Sequence, residues 1–253
     1  MANDLAEAIL NAEDIETVRE GVPAYLLLVD SFLRSSPEDK NLLLAAASLN
    51  GAYSVFTDET RAKYLTTKSL AYAQRASCAH KTDFCNLNHL AFMEFQSLIN
   101  TIEQEDVEVA YTLGVAWTGW LQAHSDDWNA IADLSKIKLL MSKVIELDES
   151  WDNGGPHLYM GGLETILPAS MGGDPEKGKK HFDRALALSE EQFLMTKVVY
   201  AEQYARLVFD KPLHDRLLQE VIESNPVVDG MTLTNRIAQE RAEELLAESD
   251  EYF

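Results

Sequence analysis

The chain has 253 residues, of which 46% are apolar and 25% charged, an ordinary globular mixture able to bury a substantial core as one large domain or two small ones. Its formal charge of −21 repels phosphate backbones and anionic headgroups, which argues against nucleic-acid binding or membrane adsorption through a basic face. The longest apolar run, Ala24 to Val29, is too short to span a bilayer.

In chain order, the residues up to Arg19 read as short polar helices, and Gly21-Val22-Pro23 reads as a restart. A helix from Pro23 stops near Ser35-Ser36, and Ser36-Pro37 opens the next, with Leu42, Ala45, Ala46, Leu49 and Tyr53 on its apolar side. Thr57 or Asp58 caps a partner helix lined by Ala62, Leu65, Ser69, Tyr72, Ala73 and Ala76. A bulky helix followed by an alanine-lined one is the alternation by which TPR-like hairpins stack. A further helix carries Phe84, Ala91, Phe95, Leu98 and Ile102, and Asp106 opens another with Leu113, Trp117 and Trp120 on its thick edge. Ser125-Asp126-Asp127 caps a long helix to Leu147.

The stretch from Asn153 to Leu188 is the most punctuated. Gly154-Gly155 ends one element and Pro156 opens a helix, as proline suits a first turn. Gly161-Gly162 falls inside that helix, at a cost of roughly 1 kcal/mol per glycine relative to alanine, so a close neighbour or a ligand is expected there. Pro168 ends the helix, Gly172-Gly173 turns the chain, and Asp174-Pro175 caps the next. The product is a helical hairpin. A helix apolar on two faces follows from Glu191 to Phe209, then one from Asp210-Pro212, and a last one from Thr232. No stretch alternates with period two, so the fold class is all-α, a TPR-like helical-hairpin solenoid. A single domain over 1–253 is expected, with a polar helical segment at 1–22, stacked hairpins at 37–224 and a capping helix at 231–250.

Cys78, His80, Cys85 and His89 cluster, but six residues separate the cysteines, unlike the closely paired ligands of structural zinc. A Cys78–Cys85 disulfide is favoured in an oxidising compartment, with two buried free thiols as the alternative. Trp117, Trp120, Tyr159, Met160, Glu164, Tyr200 and Tyr204 are candidates to line a ligand channel. Tyrosines spaced like Tyr200 and Tyr204 are as readily core residues with satisfied hydroxyls. His157, His181 and Glu164 flank the hairpin, yet no nucleophile elbow, phosphate loop or HExxH motif accompanies them. Neither enzymatic activity nor a metal or other cofactor is expected.

The string GGPHLYMGG, continued by LP, GG and EKGKKHF, then by VVYAEQYARLVFD and NRIAQERAEELL, closely resembles the TRAP-transporter-associated TPR proteins of the T-component or TatT type, from about Val22 to Phe253. The resemblance implies a periplasmic accessory of a TRAP-type transport system, a homotrimer that associates with a solute-binding protein and holds or passes a small hydrophobic or amphipathic ligand through a pore or cavity. Members resemble lipoproteins tethered by an N-terminal cysteine that this chain does not contain, and the expectation is that signal and anchor have been removed from it. The other reading is a general TPR-like scaffold that grips a peptide in its concave groove. Such a groove calls for Asn, Lys and Arg along the first helices, which here carry few basic residues.

Overall fold

The computed structural model describes residues 7–253. Among them every regular element is helical, with no strand, so the chain is all-α. It divides into two compact units, one formed by residues 19–149 and the other by residues 150–253 together with residues 7–18.

The helix α1 spans Ile15–Ser35 and contains Pro23. The restart expected at Gly21-Val22-Pro23 is therefore corrected: the helix runs through. A proline inside a helix costs about 3 kcal/mol. Against this, Ile15, Val18, Val22, Leu26 and Leu33 all lie buried along one stripe, each contributing roughly 1.5–3 kcal/mol, and the stripe outweighs the break.

In the 19–149 unit, α2 (Lys40–Ser54) is capped by Asp39, whose carboxylate accepts the Leu42 N–H at 3.0 Å. The Ser36-Pro37 start thus moves three residues on. Asp58 caps α3 (Glu59–His80), accepting from the Arg61 N–H at 3.0 Å. α3 packs against α2 and against α5 (Val107–Ala123), which in turn packs on α7 (Leu134–Asp148). α6 (Trp128–Ala132) is a short helix capped by Asp127. The buried face of α2 is Leu43, Leu44, Ala46, Ala47 and Asn50, rotated from the expected Leu42, Ala45 and Leu49. The long helix expected around Phe84 shortens to α4 (Phe92–Ile99), because two 3-10 turns precede it. A Cys78–Cys85 disulfide closes the chain there and Asn86 takes a left-handed φ of 60°. Asp106 lies fully buried beneath this turn, accepting from Lys81 Nζ and the Glu103 N–H at 2.7 and 3.0 Å, with His80 Nε2 at 2.7 Å.

In the other unit, α8 (Trp151–Thr165) begins with a left-handed run at Asp152, Asn153 and Gly154 and is regular from Gly155, with Pro156 in its first regular turn. α9 (Pro175–Leu188) packs along it. A Cβ on Gly161 would lie 2.7 Å from the Phe182 ring, and one on Gly173 would lie 1.7 Å from the Leu167 carbonyl oxygen. The first glycine lets α9 approach α8 closely, and the second is required by the turn. Asp174 accepts the Lys177 N–H at 3.1 Å as the cap of α9.

The expected helix from Glu191 is α10 (Met195–Val199), continued by a π-helical segment, Tyr200–Ala205, in which the Arg206 N–H bonds to the Ala201 carbonyl five residues back. α11 (Lys211–Glu223) and α12 (Thr232–Ala247) complete the unit, with the short α13 (Ser249–Tyr252) after them. Its core joins Leu158, Phe182, Val198, Tyr204, Leu218, Val221, Ala242 and Leu245. Asn235, fully buried, accepts the Leu194 N–H at 2.9 Å and donates to the Gln192 carbonyl at 2.9 Å, fixing the entry to α10.

Candidate functional site

A cleft of about 770 Å³ opens between α9, the α10 and π-helical segment, and α11. Leu186, Pro212, Leu213 and Leu217 supply its apolar wall and Tyr200 its aromatic one, while the remaining lining is charged. Each charge has a local reason. Lys179 and Asp183 stand one turn apart on α9 and pair at 2.8 Å, as i,i+4 residues do. The Tyr200 hydroxyl donates to Asp183 Oδ1 at 3.2 Å, and its ring stacks on Phe182 with centroids 5.0 Å apart. Burial, then the Asp183 carboxylate, pushes the Tyr200 hydroxyl up to about 12, so it remains a donor at any physiological pH.

Lys197 is the most enclosed charge of the cleft, 6% exposed. Burial alone would lower its pKa, but Glu191 and Glu220, each at 2.8 Å, hold it above the ordinary lysine value. Glu220 also accepts from Arg216 at 3.1 Å. Desolvation works against the Glu220 carboxylate, yet these two cations keep it below the usual range. The π-helical turn matters here: an extra residue in the turn widens the helix between Tyr200 and Tyr204, and such turns recur at functional positions. The two rings meet edge to face at 5.4 Å.

Of the residues singled out in the sequence, Tyr200 lines this cleft. Both Tyr200 and Tyr204 belong to the buried core, 3% and 6% exposed, so Tyr200 meets the cleft with only a small part of its surface. Met160 and Glu164 are buried on α8, Glu164 in an ion pair with Lys177 at 2.9 Å, and Tyr159 is partly buried. Trp117 and Trp120 belong to α5 in the other unit. Trp117 is buried, edge-on to Phe95 at 6.0 Å, and donates its indole N–H to Asp133 at 3.1 Å; Trp120 stacks on His124. Lys197, Glu220 and Arg216 were not singled out. Lys197 carried a legible signal, a lone charge between Thr196 and Val198 in an apolar run, whereas Glu220 and Arg216 look like any solvated i,i+4 pair.

Among the described residues no group of three or more His, Cys, Asp or Glu side chains could hold a metal ion, and no helix is long and apolar enough to cross a membrane. The fold and the cleft define an all-helical protein with a mixed apolar and charged pocket open on one side. The chain belongs to the TRAP transporter T-component family, whose model matches residues 11–253. That family is an accessory class of transport proteins rather than one of enzymes. No curated protein matches the chain.

Proposed function

We propose that the protein acts in the periplasm as a TPR-like accessory that docks the solute-binding protein of its transport system, self-associates as a trimer, and holds or passes a small amphipathic molecule in the cleft of the 150–253 unit. The observation that carries this reading is the cleft lining. A wall of Leu186, Pro212, Leu213, Leu217 and Tyr200 would take an apolar body, while Lys179, Lys197 and Arg216 stand within reach of a polar head. A volume of about 770 Å³ is in the range of small-molecule sites, roughly 300–1,000 Å³.

Native mass spectrometry of the chain with its solute-binding protein tests the docking, and displacement of a fluorescent fatty-acid probe tests the cleft. A stoichiometric complex is expected, together with probe binding that is lost when Leu213→Arg fills the pocket. Absence of both sinks the reading.

The charged lining favours a second reading, a peptide-binding scaffold, since Lys and Arg donors can read peptide carbonyls. Capture of unrelated peptides without a complex would support it instead.

A further inference from the structure

We infer that a groove in the 19–149 unit, between α1, α2 and α3, binds a small organic monoanion with a short apolar body, of which a branched monocarboxylate is the simplest case. Pro23, Leu26 and Leu27 of α1 and Leu65 of α3 supply its apolar wall, and Asp30, Arg61 and Lys68 supply its charges. Its volume of about 250 Å³ lies just under the usual range for drug-sized ligands, roughly 300–1,000 Å³, which limits a guest to a short apolar body beyond its head.

Two cations against one carboxylate run contrary to the composition of the chain, in which acidic residues outnumber basic ones by 42 to 21. An excess of one sign between apolar walls concentrates the field and draws in the opposite charge. The three groups also differ in what they have left to offer. Asp30 is engaged at both oxygens, accepting from Lys68 Nζ at 2.5 Å and from the Tyr72 hydroxyl at 2.6 Å. Burial works against its carboxylate, but these donors keep it below the ordinary range, so it stays ionised. The Lys68 ammonium carries three N–H donors, and Asp30 takes one of them. Arg61 pairs with no carboxylate among the described residues, and its guanidinium lies over the Tyr64 ring, Cζ 5.0 Å from the centroid. Contact through the face of the guanidinium leaves its N–H edge, the part that takes a carboxylate bidentately.

The arrangement selects by charge. One net positive charge suits a monoanion. An alkylammonium would meet Arg61 and Lys68 while both oxygens of Asp30 are already taken. A neutral amide of the same shape would keep the contacts with Leu26, Leu27 and Leu65 and lose the charge-assisted hydrogen bonds. This inference concerns a different unit from the cleft and holds or fails independently of the transport reading.

The test is a methyl-resolved NMR titration of the full chain at neutral pH with isocaproate, isocaproamide and isohexylamine, three probes of one shape and three charges. Isocaproate is expected to shift the Leu26, Leu27 and Leu65 methyls and to bind about ten- to hundredfold tighter than the amide, the worth of charge-assisted hydrogen bonds. The amine should bind more weakly still. Arg61 is exposed, so Arg61→Gln should keep the fold and remove most of the preference for isocaproate over the amide. Leu27→Glu, at a position 72% exposed on the rim, brings in a carboxylate and should weaken isocaproate by a similar factor. An amide that binds as tightly as isocaproate, an amine that binds tighter than either, or an Arg61→Gln chain that keeps the full preference would overturn the inference. So would shifts confined to other methyls, or a shift still linear in ligand at about 10 mM, too weak for a specific site.

Discussion

His157 on α8 and His181 on α9 face each other Nδ1 to Nδ1 at 2.9 Å. One imidazole must donate its Nδ1–H and the other accept, so at least one ring of the pair is neutral while the bond holds. Burial first, then His157 and Lys177, hold the His181 imidazole down at about 4, with Glu164 opposing them. In the unfolded chain His181 takes up its proton near its ordinary value of 6.5. Between those two values the unfolded state binds more protons than the folded one, and stability falls as the pH falls.

The first expected outcome is a loss of about 1–2 kcal/mol on going from pH 7 to pH 4.5 that His181→Gln removes, after allowance for solvent screening of a half-buried group. Thermal melts at several pH values check it, and the His181 Cε1–H resonance should titrate far below pH 6. A His181 that titrates near 6.5 would contradict the paired geometry.

The glycines separate by sign. Gly21→Ala, at a position of α1 where an added Cβ meets nothing within 4 Å, should stabilise by about 0.5–1 kcal/mol. Gly161→Ala should destabilise by about 1–3 kcal/mol, because the Phe182 ring must move. Gly173→Ala should cost more still, since its obstacle is the Leu167 backbone carbonyl. Urea unfolding of the three variants ranks them, and a Gly161→Ala as stable as the parent would show that the hairpin can open at no cost.

The Cys78–Cys85 bridge closes a short loop, seven residues apart in sequence. On the chain-entropy estimate its removal in a Cys78→Ser, Cys85→Ser double variant should cost roughly 2–3 kcal/mol. Denaturation with and without reductant should show the same loss for the parent, and mass spectrometry should show a gain of two hydrogens on reduction. An unchanged denaturation midpoint in reductant would count against the bridge's role.

Tyr200→Phe keeps the stack on Phe182 and removes only the donor to Asp183. A loss of about 0.5–1.5 kcal/mol is expected, against about 3–5 kcal/mol for Tyr200→Ala. If the hydroxyl also meets the polar head of a guest, Tyr200→Phe should weaken probe binding by more than it weakens the fold. Calorimetry of probe binding at a temperature where both proteins are folded separates the two effects.

Caps and turns were legible from residue chemistry, because they depend on neighbours within a few positions. Asp58, Asp174 and Asp210 each accept the N–H three residues on, and Gly172-Gly173 turns the chain between α8 and α9. The inner face of α2 was not legible. In LLLAAASL every side is apolar enough to be buried, and contact with α3 and α5 selects Leu43, Ala47 and Asn50. Pro23 misled for a related reason: a local rule favours a break, and a stripe of distant contacts outweighs it.

The amino-acid order alone determined that the protein is all-helical, where its hairpin turns, and to which transport family it belongs, because propensity, capping and a long idiosyncratic motif are local or linear properties. Tertiary structure decided that Tyr200 rather than Tyr204 faces the cleft, that Lys197 is held between Glu191 and Glu220, and that Asn50 keeps a buried acceptor without a partner. Those facts depend on which helix comes to lie beside which, and on a π-helical turn that shifts the register by one residue. Neither is written in the spacing of apolar side chains.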